Sequence, residues 1–182
     1  MIQNIQAGDA QAFASLVHLY KDPAVSLAYS ILLNQEDAEE TAQDAFVKAY
    51  TSLHTFKGHS RFATWFYRIV VNTALNKHRL KKWEKEEITE AIEMTVPGDM
   101  ENILAAQITA DHKKQIQTAL HALPANERLC LTLFYLQEMT VTEIAETTGL
   151  TASNIKVLLH RGRKNLYAAL YKQLKTELTN FI

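Results

Sequence analysis

Four local signals agree between Met139 and Leu170, and together they leave this stretch little choice of fold. Thr140 and Glu143 form a capping box: the threonine hydroxyl can accept from the Glu143 N–H, and the carboxylate can reach back to the Thr140 N–H. Gly149 stands where a tight turn needs a left-handed residue, which glycine supplies at little cost. Thr151 is a suitable N-cap for a second helix. Ile155, Leu158, Leu159, Gly162, Leu166 and Leu170 then recur as a buried stripe of 3.6-residue period. Ile144 and Ala145 face inward from the first helix. The pattern predicts two helices joined by a tight turn, with Ser153, Asn154, Lys156, His160, Arg161, Arg163 and Lys164 on the outer side of the second.

The rest of the chain reads as helix too. Only five Gly and three Pro interrupt 182 residues, and no alternating strand pattern persists. Phe13, Leu16, Val17 and Tyr20 form a helical stripe behind Asp9, a fair N-cap. A second helix is expected from Pro23 to Leu33. A third carries Ala42, Phe46, Ala49, Tyr50 and Leu53 on one side. After the loop 57–60, with Ser60 as expected N-cap, a fourth buries Phe62, Trp65, Phe66, Ile69, Val70 and Thr73. Residues 83–102 are acidic, contain Pro97-Gly98 and have linker composition. Pro124 is expected at the first position of a later helix. The fold class is therefore all-α: two small helical domains joined by a flexible acidic linker, the C-terminal one a helix-turn-helix.

Charge is segregated into blocks that the net charge of −1 hides. Residues 1–56 hold two basic and seven acidic residues, whereas residues 57–82 hold seven basic and no acidic ones. Residues 83–107 hold seven acidic residues and only Lys85, whereas 151–176 hold six basic and none acidic. Two basic blocks predict two polyanion sites, and the acidic N-terminal block a different partner.

The two basic blocks differ in kind. A helix-turn-helix places its second helix in the DNA major groove, where amides and cations near the helix start suit base edges and later cations suit phosphates. On the helix 61–82, Trp65, Arg68, Asn72, Asn76 and Arg79 fall on one row beside the buried one. That row suits unstacked bases, with Asn on base edges, Trp stacking and Arg on phosphate.

The chain lacks paired carboxylates, a Ser/His/Asp set or a Gly-rich phosphate loop, and its seven His show no tight metal spacing. It reads as a non-enzyme with no cofactor and no metal. Cys130, the only cysteine, reads as a small core residue. With no secretory signal in the first residues and no apolar run of membrane-spanning length, the expected location is cytoplasmic.

The whole arrangement resembles the extracytoplasmic-function (group IV) sigma factors of bacterial RNA polymerase. The resemblance rests on AGDAQAFASLVHLY near the start, DAEETAQDAFVKAY at 37–50, FKGHSRFATWFYRIVVNTALNKHR at 56–79, and LHALPANERLCLTLFYLQEMTVTEIAETTGLTASNIKVLLHRGRKNL at 120–166. It implies a domain 1–82 that holds core RNA polymerase through Asp37, Glu40, Gln43 and Asp44 and captures the −10 element through Arg61, Trp65, Arg68, Asn72, Asn76 and Arg79. It implies a linker 83–107, and a domain 108–182 that reads the duplex −35 element through Ser153, Asn154, Lys156, Val157, His160, Arg161, Arg163 and Lys164. Many members carry Asp where this chain has Asn76, and Arg where it has Lys156. Promoter DNA, duplex at −35 and single-stranded at −10, and an anti-sigma factor are the other implied partners. A stand-alone helix-turn-helix regulator is the alternative reading.

Overall fold

A computed structural model describes residues 2–6, 9–84 and 110–180, and every element among them is helical. The expected linker, including Pro97-Gly98, lies outside the described residues apart from its first two positions, which end a helix.

A short α1 (Ile2–Gln6) leads into α2 (Ala10–Leu32), which starts on the expected cap: Asp9 Oδ1 accepts from the N–H groups of Gln11 and Ala12 at 3.0 Å. Pro23 does not begin a new helix but lies inside α2. A proline removes one helix hydrogen bond and crowds the carbonyl four residues back. Here that is the carbonyl of Leu19, a residue 62% exposed, so water can take the place of the missing donor. Leu16, Ala24, Leu27, Ala28 and Ile31 are buried on both sides of Pro23, and their shared packing holds the helix continuous.

α3 (Gln35–Ser52) is capped by Asn34 and has Glu36 and Asp37 in its first turn, where carboxylates complement the helix dipole. Its buried face is nearly all small residues with Phe46, which lets α2 and α4 approach closely. A 3-10 turn, Leu53–Thr55, leads to α4 (Phe62–Glu84). α4 begins one residue later than Ser60 as N-cap would require: Arg61 holds the cap position, its carbonyl accepting from Trp65 N–H at 3.3 Å. Its buried set is shifted from the expected stripe: Phe66, Val70 and Thr73 are buried with Thr64, Tyr67, Val71 and Ala74, whereas Phe62, Trp65 and Ile69 are half-buried. Aromatic rings seat its N-terminal end, with Phe62 at 5.3 Å from Tyr20 and Phe46 at 4.7 Å from Phe66. Such pairs contribute about 0.5–1.5 kcal/mol each beyond their buried area.

The C-terminal unit comprises α5 (Ala110–His121), α6 (Ala125–Leu131), one turn of π-helix (Thr132–Leu136), α7 (Val141–Thr148) and α8 (Ala152–Asn180). Pro124 precedes α6 as its cap residue rather than filling its first position. Cys130 is fully buried, and that burial, with Glu127 nearby, pushes its thiol up to about 11, so it is inert core. α6 packs on α8, and the two units meet where α7 lies on α4 and α6 on α2. Among the described residues no helix is long and apolar enough to cross a membrane.

Candidate nucleic-acid interface

The helix-turn-helix forms from the local signals that announce it. Thr140 Oγ1 accepts from Glu143 N–H at 3.3 Å, and Glu143 Oε2 accepts from Thr140 N–H at 2.9 Å, completing the capping box. Gly149 ends α7 with φ 74°, and Thr151 caps α8 by accepting from Asn154 N–H at 3.3 Å. Ile155, Leu159, Gly162 and Leu166 are buried along the inner face of α8, while Leu158 and Leu170 are half-buried at its margin.

Of the outer-face residues, Ser153, Asn154, Lys156, Val157, His160 and Arg161 are exposed. Their positions put them within the first three turns of α8, the part of a recognition helix that reaches base edges. Arg163 and Lys164 are half-buried. Arg163 is engaged inside the unit: its Nε donates to the Tyr135 hydroxyl at 2.7 Å, and its guanidinium lies 5.7 Å and 5.6 Å from the ring centres of Phe134 and Tyr135. Both rings sit on the π turn. A π turn swings side chains away from the positions an α-helix would give them, so helical spacing offers no signal for this contact.

On α4 the row Arg68, Asn72, Asn76 and Arg79 is exposed along its length, about 16 Å from first to last at 1.5 Å per residue. Trp65 is half-buried, with its ring against Phe56 (5.4 Å) and Phe62 (5.6 Å). One part is therefore fixed by the core while the rest remains open. Arg61, at the head of the row, pairs through its Nε with Glu143 Oε1 of α7, and Thr64 Oγ1 donates to the same oxygen at 3.3 Å. Arg61 and Glu143 are 82 residues apart, beyond the reach of any local pattern.

Of the acidic candidates on α3, Gln43 and Asp44 are exposed. Asp37 and Glu40 instead share Lys77 of α4, whose Nζ lies 3.3 Å from Asp37 Oδ1 and 2.6 Å from Glu40 Oε2. Burial pulls the Lys77 ammonium down, but bonds to Glu40 and Asp37 outweigh it and the net direction is up. Asp37 is turned toward α4, with a side chain only 13% exposed, whereas Glu40 keeps 67% of its side chain open.

The N-terminal unit matches the sequence family Sigma-70 region 2 over residues 16–84, and the C-terminal unit matches Sigma-70, region 4 over residues 113–166. Over 181 residues the chain is 33% identical to the ECF RNA polymerase sigma factor SigW of Bacillus subtilis (strain 168), which covers 96% of this chain and 95% of that protein. This chain belongs to the extracytoplasmic-function sigma factors. It is also 29% identical over 171 residues to the ECF RNA polymerase sigma-E factor of Escherichia coli (strain K12), covering 90% and 89% of the two chains.

Two solved structures share the sigma-factor fold. The sigma factor RpoE of Bartonella quintana, determined with the anti-sigma factor NepR, superposes with a TM-score of 0.69 at 20% identity, over 89% of this chain and 98% of that one. CnrH, determined with the cytosolic domain of CnrY, gives 0.67 at 21% identity, over 94% and 95%. A stand-alone helix-turn-helix regulator would account for the second family match and leave the first without cause. As a sigma factor, the protein binds core RNA polymerase and directs it to promoters, and its relatives are transcription initiation factors rather than enzymes.

Proposed function

We propose that the sigma factor divides promoter recognition between its two units, with 1–82 holding core polymerase and the −10 element, 108–182 reading the −35 element, and 83–107 linking them. The observation that carries this reading is a pair of exposed rows on separate units. Arg68, Asn72, Asn76 and Arg79 lie along α4, and Lys156, Val157, His160 and Arg161 lie at the start of α8. The α8 row follows a helix-turn-helix and suits duplex readout in the major groove. The α4 row offers two amides flanked by guanidinium groups beside a half-buried Trp65, which suits bases already out of the stack. Unstacking costs a few kcal/mol, and a fitted site offsets it, so binding energy specific to the open strand drives melting. Gln43, Asp44 and the open side of Glu40 form the polymerase face on α3. Arg61 joins the −10 set when Glu143 releases it, and Ser153 and Asn154 contribute at the first turn of α8.

Catalysis stays with the polymerase, and the protein acts in the cytoplasm, where that enzyme and the promoters are. An anti-sigma factor is a further partner; the likeness to RpoE, determined with NepR, supports it. Transcription from a promoter library with purified core polymerase tests the reading, comparing wild type with Asn72→Ala. Loss of −10 recognition by about 1–3 kcal/mol with core binding intact is expected. Equal loss of both activities would remove the −10 assignment.

A further inference from the structure

Both seams between the units are closed by specific bonds, and one of them uses a group that already has another task. Glu143 splits its two oxygens. Oε2 accepts from Thr140 N–H and from Thr140 Oγ1, both at 2.9 Å, and so starts α7. Oε1 faces the other unit and accepts from Arg61 Nε and Thr64 Oγ1. Arg61, first among the causes, holds the Glu143 carboxyl down to about 2, so it is charged at every working pH.

At the second seam, the buried Arg128 donates from Nε to the carbonyl of Ser30 at 2.5 Å. Ser30 lies in the last turn of α2, where a helix leaves its carbonyls without intrahelical donors. The same guanidinium donates from Nη1 to Leu123 O at 2.9 Å and His121 O at 3.3 Å, and the His121 ring lies 5.1 Å from that of Tyr29. One seam thus places an acidic helix start on the head of the α4 row, and the other caps α2 with a residue of α6.

We propose that these bonds are an intramolecular latch: the free chain holds its C-terminal unit over the head of its own −10 surface, and Glu143 is the releasable catch. The latch rests on the reading of α4 as the −10 surface only for its consequence, not for its existence. Arg61 keeps 57% of its side chain exposed, and an ion pair open to solvent on one side is weak. A nucleic-acid phosphate presents the same charge as Glu143 and competes for the same guanidinium. Opening for DNA therefore requires no rearrangement within either unit, and Glu143 keeps its bonds to Thr140 when Arg61 leaves.

Two variants test the latch in the full chain. Glu143→Gln keeps a residue type that serves capping boxes and removes the charge facing Arg61. Thr64→Val, at a buried site on α4, removes one donor to Glu143 and leaves α7 untouched. Small-angle scattering reads the separation of the units, circular dichroism reads helix content, and anisotropy of a labelled oligothymidylate reads access to α4. With helix content unchanged, both variants should increase the radius of gyration. Oligonucleotide affinity should rise about two- to five-fold, the range a half-exposed ion pair can supply. High salt should open wild type and leave Glu143→Gln little changed. Should Glu143→Gln lose helix, Thr64→Val decides alone. An unchanged radius of gyration in a folded variant overturns the latch. An increased radius without an affinity gain keeps the latch and removes the reading of the α4 head as a DNA surface.

Discussion

Lys77 of α4 bridges Asp37 and Glu40 of α3, at 3.3 Å and 2.6 Å, and so ties α3 to α4. It sits directly after Asn76, whose own side chain is exposed. Lys77→Ala should lower stability by about 1 kcal/mol, the upper range for pairs open to water on one side. Urea denaturation checks the magnitude. A double-mutant cycle with Glu40→Ala should recover less than about 1 kcal/mol of coupling. A larger coupling would mean that the pair is more deeply desolvated than its exposed Glu40 indicates.

Arg161 and Arg163 are two residues apart, yet the structure gives them different work. Arg161 is exposed on the outer face of α8, whereas Arg163 is bound to Tyr135 and stacked on the π turn. Arg161→Ala should weaken −35-dependent initiation by about 1–3 kcal/mol if it meets a base edge, with the melting temperature unchanged. Arg163→Ala should lower the melting temperature, and Tyr135→Phe should reproduce part of that loss by removing the hydrogen bond while keeping the ring. Thermal denaturation beside promoter-binding assays separates the two roles; the reverse pattern would mean that Arg163 is the DNA contact.

What was legible in the sequence follows the range of the forces involved. The capping box at Thr140, the left-handed Gly149 and the Asp9 cap are contacts within four residues, and all three form as expected. The exposed row on α4 is a consequence of helix period alone. Pro23 misleads because propensity favours a helix start there, while the buried stripe from Leu16 to Ile31 overrides it. Arg61 rather than Ser60 holds the cap position because the aromatic contacts of Phe62 and Trp65 set where α4 begins. The π turn, and with it the capture of Arg163, breaks the spacing on which surface assignments depend. The bonds Arg61–Glu143 and Arg128–Ser30 span 82 and 98 residues, and nothing local marks either partner.

Gly162 of α8 lies close against α6. A β-carbon there would stand 3.1 Å from Leu131 Cδ1 and 3.3 Å from Glu127 Cβ. Leu131 is itself buried, and the Glu127 β-carbon is fixed by its backbone, so neither neighbour can move away freely. Alanine normally gains about 1 kcal/mol over glycine inside a helix, but here overpacking opposes it. Gly162→Ala should come out neutral or slightly destabilising, and Gly162→Val should cost about 1–3 kcal/mol. Chemical denaturation measures both, and a clear gain from Gly162→Ala would show that the α6–α8 contact can relax.

Mild acid should act on the seam through His121 and not through Glu143. The Glu143 carboxyl is depressed to about 2, so its contribution is fully present above the ordinary carboxylate range and is lost progressively as pH falls from there to about 2. His121 is shifted downward, first by burial and then by Arg128. A base with a lowered value leaves the unfolded chain holding more protons, so stability falls as pH drops below the ordinary histidine value of about 6.5. The loss should be modest because His121 is partly open to water. His121→Phe keeps a ring against Tyr29 and should flatten the response of the denaturation midpoint between about pH 7.5 and about pH 5.5. An unchanged acid response in that variant would move the titrating group elsewhere.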